Sequence, residues 1–140
     1  MNDPFENLFS IRYKFHHLGY AAKSIDDEII FFKMLGYEVE GKKFEDPKQG
    51  IIGQFLVGNG PRIELLENMP GSNTLDPIIN SRIKIYHFAY LVDDVEACIE
   101  LCRKNKGKLI REPLDSVAFN GKKIAFVVFP RGLILELIES

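Results

Sequence analysis

The sequence predicts an α+β fold made of two pseudo-symmetric βαβββ modules, with a curved mixed sheet around a central cleft. An internal repeat is the first observation that predicts it. ELLE at residues 64–67 and ELIE at residues 136–139 each follow a Pro-Arg pair, and HLGYAAKSI from His17 resembles HFAYLVDDV from His87. The spacing from His to Glu is 47 residues in the first copy (17 to 64) and 49 in the second (87 to 136). Two copies of a unit of about seventy residues favour a paired domain over a solenoid.

The order of elements in the first module, at about residues 12–67, is the second observation. The aromatic stretch KFHHLGYAA favours a strand. Ser24, with Asp27 three residues later, predicts a helix start, and the apolar residues that follow recur at helical spacing until Gly36 ends the helix. GNGP at residues 58–61 predicts a tight hairpin. The module is completed by three strands, at residues 37–44, 51–57 and 62–67.

The second module, at about residues 85–139, repeats this order after a linker at residues 68–84 that has room for a short helix. It opens with the strand-like IYHFAYLV, and either Asp93 or Asp94 caps a helix that Gly107 ends. Its remaining strands are predicted at residues 108–112, 123–129 and 133–138. We therefore expect one domain over residues 1–140, whose modules pair within the chain or are exchanged between chains.

Composition excludes several classes of protein. With 46% hydrophobic and 27% charged residues, the chain is typical of a soluble globular protein. Eighteen Lys and Arg against twenty Asp and Glu give a net charge of −2 without a basic block, which argues against nucleic acid as a partner. No stretch reaches the ~20 apolar residues of a membrane span, and the N-terminal segment lacks a signal-peptide pattern. We expect a cytoplasmic protein in which Cys98 and Cys102 are buried free thiols.

A candidate metal site follows from the repeat, because each module has one His on its first strand and one Glu on its last. The set is His17, Glu64, His87 and Glu136. A buried carboxylate such as Glu136, inside the apolar run at its strand, costs several kcal/mol unless a cation compensates it. Two imidazoles and two carboxylates suit a divalent ion such as Zn, Co, Ni or Mn. Taken singly, a His or Glu on a strand is more often a core or surface residue than a metal ligand. The argument for the set is the duplication, which also selects His17 over His16.

Several stretches resemble the vicinal oxygen chelate superfamily of glyoxalases, bleomycin-resistance proteins and dioxygenases: HHLGYAAKSID, FFKMLGYEV, DPKQGI, RIELLE, YHFAYLVDDVEACIE and GLILELIE. The resemblance covers residues 15–139 and is strongest to methylmalonyl-CoA epimerase. It implies paired βαβββ modules and places metal ligands at His17, Glu64, His87 and Glu136. It also implies a metal-dependent isomerase, epimerase or lyase, of the epimerase type or the glyoxalase I (lactoylglutathione lyase) type.

Such enzymes stabilise an enediolate-type intermediate of a small acyl or carbonyl substrate, for example a CoA thioester, while a proton leaves the adjacent carbon. Glu136 is the expected general base. The resemblance places a second catalytic Glu where this chain has Lys48, and a protonated lysine does not accept a proton. Lys48 is then either a contact for an anionic part of the substrate or a solvated loop residue. We also expect Gln54 and Lys122 to contact substrate.

Two other functions stay open from the sequence. One is a metal-free protein that binds a small molecule, as bleomycin-resistance proteins do. The other is an Fe(II) dioxygenase, against which a set of four protein ligands argues. Small proteins of this superfamily commonly form homodimers, and we expect one here.

Overall fold

The computed structural model describes residues 12–140, and residues 1–11, where the signal-peptide pattern was sought, lie outside the described part. The fold is α+β, and the nine described strands form a mixed sheet. The elements are, in chain order, β1 Tyr13–Ala21, α1 Ile25–Met34, β2 Glu38–Asp46, β3 Ile51–Gly58, β4 Gly60–Asn68, α2 Asp76–Ser81, β5 Ile85–Val92, α3 Val95–Lys104, β6 Lys108–Leu109, β7 Leu114–Asp115, β8 Lys123–Val128 and β9 Ile134–Glu139, with a 3₁₀ turn at Pro130–Gly132 before β9. The predicted fold class is confirmed.

The described chain divides into two units, each of which holds most of one copy of the repeat. The first unit is His17–His87, and the second holds Phe88–Ser140 together with the described residues up to His16. In the first unit the strand order is β2-β3-β4-β1, and in the second it is β5-β9-β8-β6, with β7 paired to β8. The last strand of each unit returns parallel to its first, β4 beside β1 and β9 beside β5.

Helix α1 starts and ends where its sequence predicts. The Ser24 side chain accepts a hydrogen bond from the backbone N–H of Asp27 at 3.3 Å. Acidic residues fill the first turn, where the helix dipole favours negative charge. After the helix, Gly36 adopts a φ of +88°, a left-handed conformation that favours glycine.

The sheet of the first unit is buried on both faces, and its apolar residues alternate between them. Leu65 packs with α1 and its neighbours on one face, in a cluster that includes Ile25 and Leu56. Leu66 packs on the opposite face with Ile51 and with residues of the segment that contains α2. Because successive strand residues face opposite sides, Glu64 shares the face of Leu66 and points away from α1.

In the second unit, α3 packs on one face of the sheet. Of the two candidate caps, Asp94 is the one that acts, since its Oδ1 accepts a hydrogen bond from the N–H of Ala97 at 3.0 Å. Cys98 and Cys102 are free thiols buried in this core, as predicted. Hydrogen bonds from Cys102 and from Tyr13 lower the pKa of the Cys98 thiol, while burial opposes them.

Two segments of the second unit differ from the sequence prediction. Strand β6 is shorter than the predicted 108–112, although Ile110 N still donates to Phe126 O at 3.0 Å. Pro113, which has no N–H, prevents the ladder from continuing further. Beyond it the chain forms β7, a two-residue strand paired with β8, where no strand was predicted. In the linker, the helical piece is present as α2.

Among the described helices, none is long and apolar enough to cross a membrane.

The two isoleucines of α1 provide a matched test of this core. Ile25 is fully buried, whereas Ile30 is 71% exposed. We expect Ile25→Ala to lower the free energy of unfolding by about 2–5 kcal/mol, because it leaves a cavity, and Ile30→Ala to change it by less than about 0.5 kcal/mol. Urea denaturation followed by circular dichroism measures both. Equal effects of the two changes would contradict the described packing of α1.

Candidate metal site

Three of the predicted ligands meet within the first unit: His17 on β1, Glu64 on β4 and His87 at the start of β5. The Nε2 atoms of His17 and His87 are 3.1 Å apart. Glu64 Oε1 lies 3.3 Å from Nε2 of His17 and 3.6 Å from Nε2 of His87. One nitrogen of each imidazole and one carboxylate oxygen therefore converge on one point.

Strand pairing places these side chains on one face. In the parallel pair of β1 and β4, Gly19 is the register partner of Glu64. His17 lies two residues before Gly19, so it projects from the same face as Glu64. His87 is contributed by the strand that follows the linker, and its ring lies 5.3 Å from the ring of His17, nearly perpendicular to it.

All three residues are buried, with exposures of 0% for His17, 5% for Glu64 and 2% for His87. A carboxylate in this position requires compensation by positive charge or hydrogen bonds. The donor atoms are spaced as metal ligands are: with metal–nitrogen bonds of about 2.0–2.1 Å, ligand atoms arranged tetrahedrally lie about 3.3 Å apart. Two imidazoles and a carboxylate are also a common donor set for transition ions. These residues therefore fit a divalent metal ion, and their ligand atoms lie within 4.8 Å of one another.

Aromatic rings surround the cluster within the first unit. Phe55, the register partner of Glu64 on β3, places its ring 5.3 Å from that of His17. The ring of Phe44 lies 5.8 Å from that of Phe55. Tyr86 contacts the ring of His87 edge-on, at 4.5 Å. This apolar shell weakens solvent screening and strengthens electrostatic interactions at the cluster.

Glu136, the fourth predicted ligand, belongs to the second unit. It lies on β9, is 3% exposed and pairs in register with Ala89 of β5 and Phe126 of β8. The sequence-based inference that this carboxylate is buried is thus correct. Its role as a ligand and as a base stays a prediction.

His16, the alternative to His17, is partly buried in the second unit, with its ring 5.1 Å from that of Phe119. It is not among the residues of the candidate metal cluster in the described part of the chain.

The three residues predicted to contact substrate lie apart from this cluster. Gln54 alternates with Phe55 and so lies on the face that packs against α1, where its register partner is Leu65. Its Nε2 lies 3.2 Å from the carbonyl oxygens of Glu40 and Gly41, at an irregularity in the pairing of β2 with β3.

Lys48 is exposed on the turn between β2 and β3. That turn is well fixed: the buried Asp46 carboxylate accepts hydrogen bonds from Gln49 N at 3.2 Å and Gln49 Nε2 at 2.8 Å. Lys122 is exposed in the second unit, immediately before β8. The substrate contacts of Lys48, Gln54 and Lys122 stay predictions.

Gly19 is a site residue that the sequence reasoning missed. A β-carbon at this position would lie 1.9 Å from Cε1 of His87, far closer than non-bonded atoms approach. The signal was a glycine inside a strand, which often marks a close approach of another group.

Comparison with known proteins agrees with this architecture. Residues 16–126 match the sequence family described as the Glyoxalase/Bleomycin resistance protein/Dioxygenase superfamily. No curated protein matches the chain at a significant level. The chain is similar to the crystal structure of a hypothetical protein from Bacillus halodurans C-125, with 29% identity, coverage of 91% of this chain and 94% of that chain, and a TM-score of 0.78.

Two methylmalonyl-CoA epimerases are also similar in structure. The enzyme from Mycobacterium tuberculosis has 24% identity, covers 89% of this chain and 86% of that chain, and gives a TM-score of 0.73. The Streptomyces coelicolor enzyme, solved in complex with 2-nitronate-propionyl-CoA, has 22% identity, coverage of 91% and 96%, and a TM-score of 0.72. At these identities the likeness shows a shared fold. The resemblance inferred from the sequence motifs is confirmed.

Replacing Gln54 tests whether its side chain stabilises the fold independently of the metal site. We expect Gln54→Leu to lower the free energy of unfolding by about 1–3 kcal/mol, because it removes a buried amide donor from the carbonyls of Glu40 and Gly41 while keeping the volume similar. Co(II) binding should be unchanged. Denaturant titration and metal titration measure the two effects. A variant with wild-type stability would show that the contacts to β2 contribute little.

Proposed function

The chain belongs to the Glyoxalase/Bleomycin resistance protein/Dioxygenase superfamily, and from this premise we propose that it is a divalent-metal-dependent enzyme of the isomerase, epimerase or lyase type. The observation that carries the proposal is the buried convergence of His17, Glu64 and His87, with donor atoms 3.1–3.6 Å apart. A protein that used this site only to bind an apolar molecule would have no need to bury a carboxylate beside two imidazoles.

The proposed ligands are His17, Glu64, His87 and Glu136. The internal repeat supports the inclusion of Glu136: it pairs with the residue two positions after His87, just as Glu64 pairs with the residue two positions after His17. Glu136 is also as deeply buried as the other members of the set. Zn, Co, Ni and Mn are all compatible with two imidazoles and two carboxylates.

The proposed reaction removes a proton from the carbon next to a carbonyl group. When bound, the ion would supply Lewis-acid stabilisation of the negative charge on the substrate oxygen, as in an enediolate. Glu136 takes the proton, the electron pair of the broken C–H bond forms a new C=C bond, and the π pair of the carbonyl group moves onto its oxygen. The apolar rings of Phe55 and Phe44 exclude water from the side of His17, which strengthens every electrostatic interaction there.

The proposed substrate is a small acyl compound carried as a CoA thioester. Support comes from structural relatives solved with methylmalonyl-CoA and with 2-nitronate-propionyl-CoA. Lys48 and Lys122 are exposed cations suited to anionic groups of such a substrate. Because Lys48 stands where the epimerase pattern has a second base, we propose a single-base reaction at this site. Proton exchange at the α-carbon is then expected to outpace epimerisation.

We further propose that the protein is a cytoplasmic homodimer. The free thiols Cys98 and Cys102 suit a reducing compartment. In the second unit, an exposed and mostly apolar groove is lined by residues that include Phe88, Leu133 and Leu135, and contiguous exposed apolar patches often mark protein contacts.

Metal binding is the first test. We expect the wild-type protein to bind one Co(II) or Ni(II) per chain, and Glu64→Gln to weaken binding at least about 100-fold, more than the loss of an outer-shell partner costs. Glu67→Gln, three residues further along β4, is the matched control and should bind as the wild type does. Elemental analysis and isothermal titration measure both. A wild-type protein that is purified without metal and refuses Co(II) would favour the metal-free binding protein.

Proton exchange is the second test. In D₂O, the metal-loaded protein should exchange the α-proton of methylmalonyl-CoA, and mass spectrometry follows the mass increase. Glu136→Gln should slow exchange about 100-fold or more, since it removes the base, and Glu139→Gln on the same strand should not. Circular dichroism of the substrate follows epimerisation, which Lys48→Glu should accelerate relative to exchange. Exchange that survives a chelator would contradict the proposed function.

A further inference from the structure

Gly19 lies where the ring of His87 meets β1. A β-carbon built on Gly19 would be 1.9 Å from Cε1, 2.1 Å from Nδ1 and 2.4 Å from Nε2 of His87. Three ring atoms within 2.4 Å of this point mean that the imidazole occupies the volume that the side chain of any other amino acid would fill. The ring therefore lies directly against the backbone of β1.

The backbone of Gly19 does not itself require glycine. Its φ is not among the positive values found in the described part of the chain. A glycine inside a strand contributes no packing and increases the entropy lost on folding. Nothing in β1 alone favours glycine here, so the reason lies in what packs against it.

The position of Gly19 is also central to the candidate metal site. It follows His17 by two residues and pairs in register with Glu64, so it lies on the ligand-bearing face between the two. The second copy of the repeat has Ala89 at the equivalent position, two residues after its own histidine. The equivalent strand of the second copy thus accepts a β-carbon. Glycine is required at position 19 only because the ring of His87 lies there.

We propose that Gly19 is the positioning residue of the metal site: by lacking a side chain it seats the His87 ring against β1, which brings Nε2 of His87 to 3.1 Å from Nε2 of His17. This inference rests on the proposed function for its metal-binding consequence. Its steric part concerns only Gly19 and His87 and holds without a metal. Gly19 does not touch the reacting atoms and acts through His87.

A double-mutant cycle in metal-free protein tests the steric part. We expect Gly19→Ala to lower the urea midpoint in the wild-type background, since the methyl group and the ring cannot share one volume. In the His87→Ala background the same change should leave the midpoint unchanged or raise it, because alanine restricts the unfolded chain. Equal losses in the two backgrounds would overturn the proposal, since the cost would then come from β1 itself.

Metal affinity tests the positioning role. At a temperature where the variant is folded, Gly19→Ala should weaken Co(II) binding at least about tenfold, as the loss of a ligand-orienting contact does, and should change the visible absorption spectrum of the bound Co(II). Gly58→Ala is the matched control. A β-carbon there would lie 2.6 Å from Cα of Tyr37, which packs in the core with α1 and is not part of the metal site. We expect it to lose stability but to keep Co(II) affinity and spectrum.

Two results would overturn the role of Gly19: wild-type affinity and spectrum in Gly19→Ala, or an equal loss of affinity in Gly58→Ala. Failure of the proposed function is distinguishable from both. In that case the wild-type protein itself binds no Co(II), whereas the double-mutant cycle, measured without metal, still reports whether Gly19 seats His87.

Discussion

The parallel pairing of β4 with β1 is the constraint on which the rest of the first unit depends. With Gly19 opposite Glu64, the carboxylate shares a face with His17, and Leu65 packs with α1 on the other face. A slip of one residue would exchange these faces, so it would bury Glu64 among the apolar residues under α1. The strong preference of Leu65 for the core therefore fixes the register, and the register fixes the position of the carboxylate.

A second constraint acts on this face, because the group that completes the cluster comes from a different part of the chain. His87 reaches His17 only because β1 has no side chain at Gly19. The first unit thus gives up side-chain packing and chain stiffness inside one of its central strands. Glycine inside a strand often marks a place where another group approaches the backbone closely. The buried carboxylate beside it also costs free energy, because it has been removed from water. The first unit is therefore less stable locally than it would be with an apolar core at this place, and His17, Glu64 and His87 converge there instead.

The turn after β2, unlike the buried candidate metal cluster, lies at the surface and is fixed by hydrogen bonds. It is held by Asp46 and Gln49 and by a hydrogen bond from Thr74 Oγ1 to the carbonyl of Gln49 at 2.7 Å. Lys48 therefore sits on an ordered segment. The resemblance inferred from the sequence implies an acidic residue at this position, and lysine differs from it in charge and proton affinity while the hydrogen bonds that fix the turn do not involve its side chain.

The sequence by itself determined the order of elements, because each is specified locally. Ser24 and Asp94 cap their helices through contacts three residues away, and the buried residues of α3 recur at the period of the helix: Val95, Cys98, Ile99 and Cys102. The duplication also identified four of the buried polar residues, His17, Glu64, His87 and Glu136, since matching residue types in two copies are informative without any structure. Either aspartate suited the second cap from sequence, and only the backbone geometry selected Asp94.

Tertiary structure decided what depends on contacts between distant segments. The face occupied by Gln54 follows from its pairing with Leu65, and Phe55, one residue later, faces the cluster instead. The shortening of β6 and the formation of β7 depend on how the chain around Pro113 meets β8. The need for glycine at position 19 arises from a ring 68 residues further along the chain. Local propensity carries no information about such an approach, because the steric demand exists only once the two segments have met.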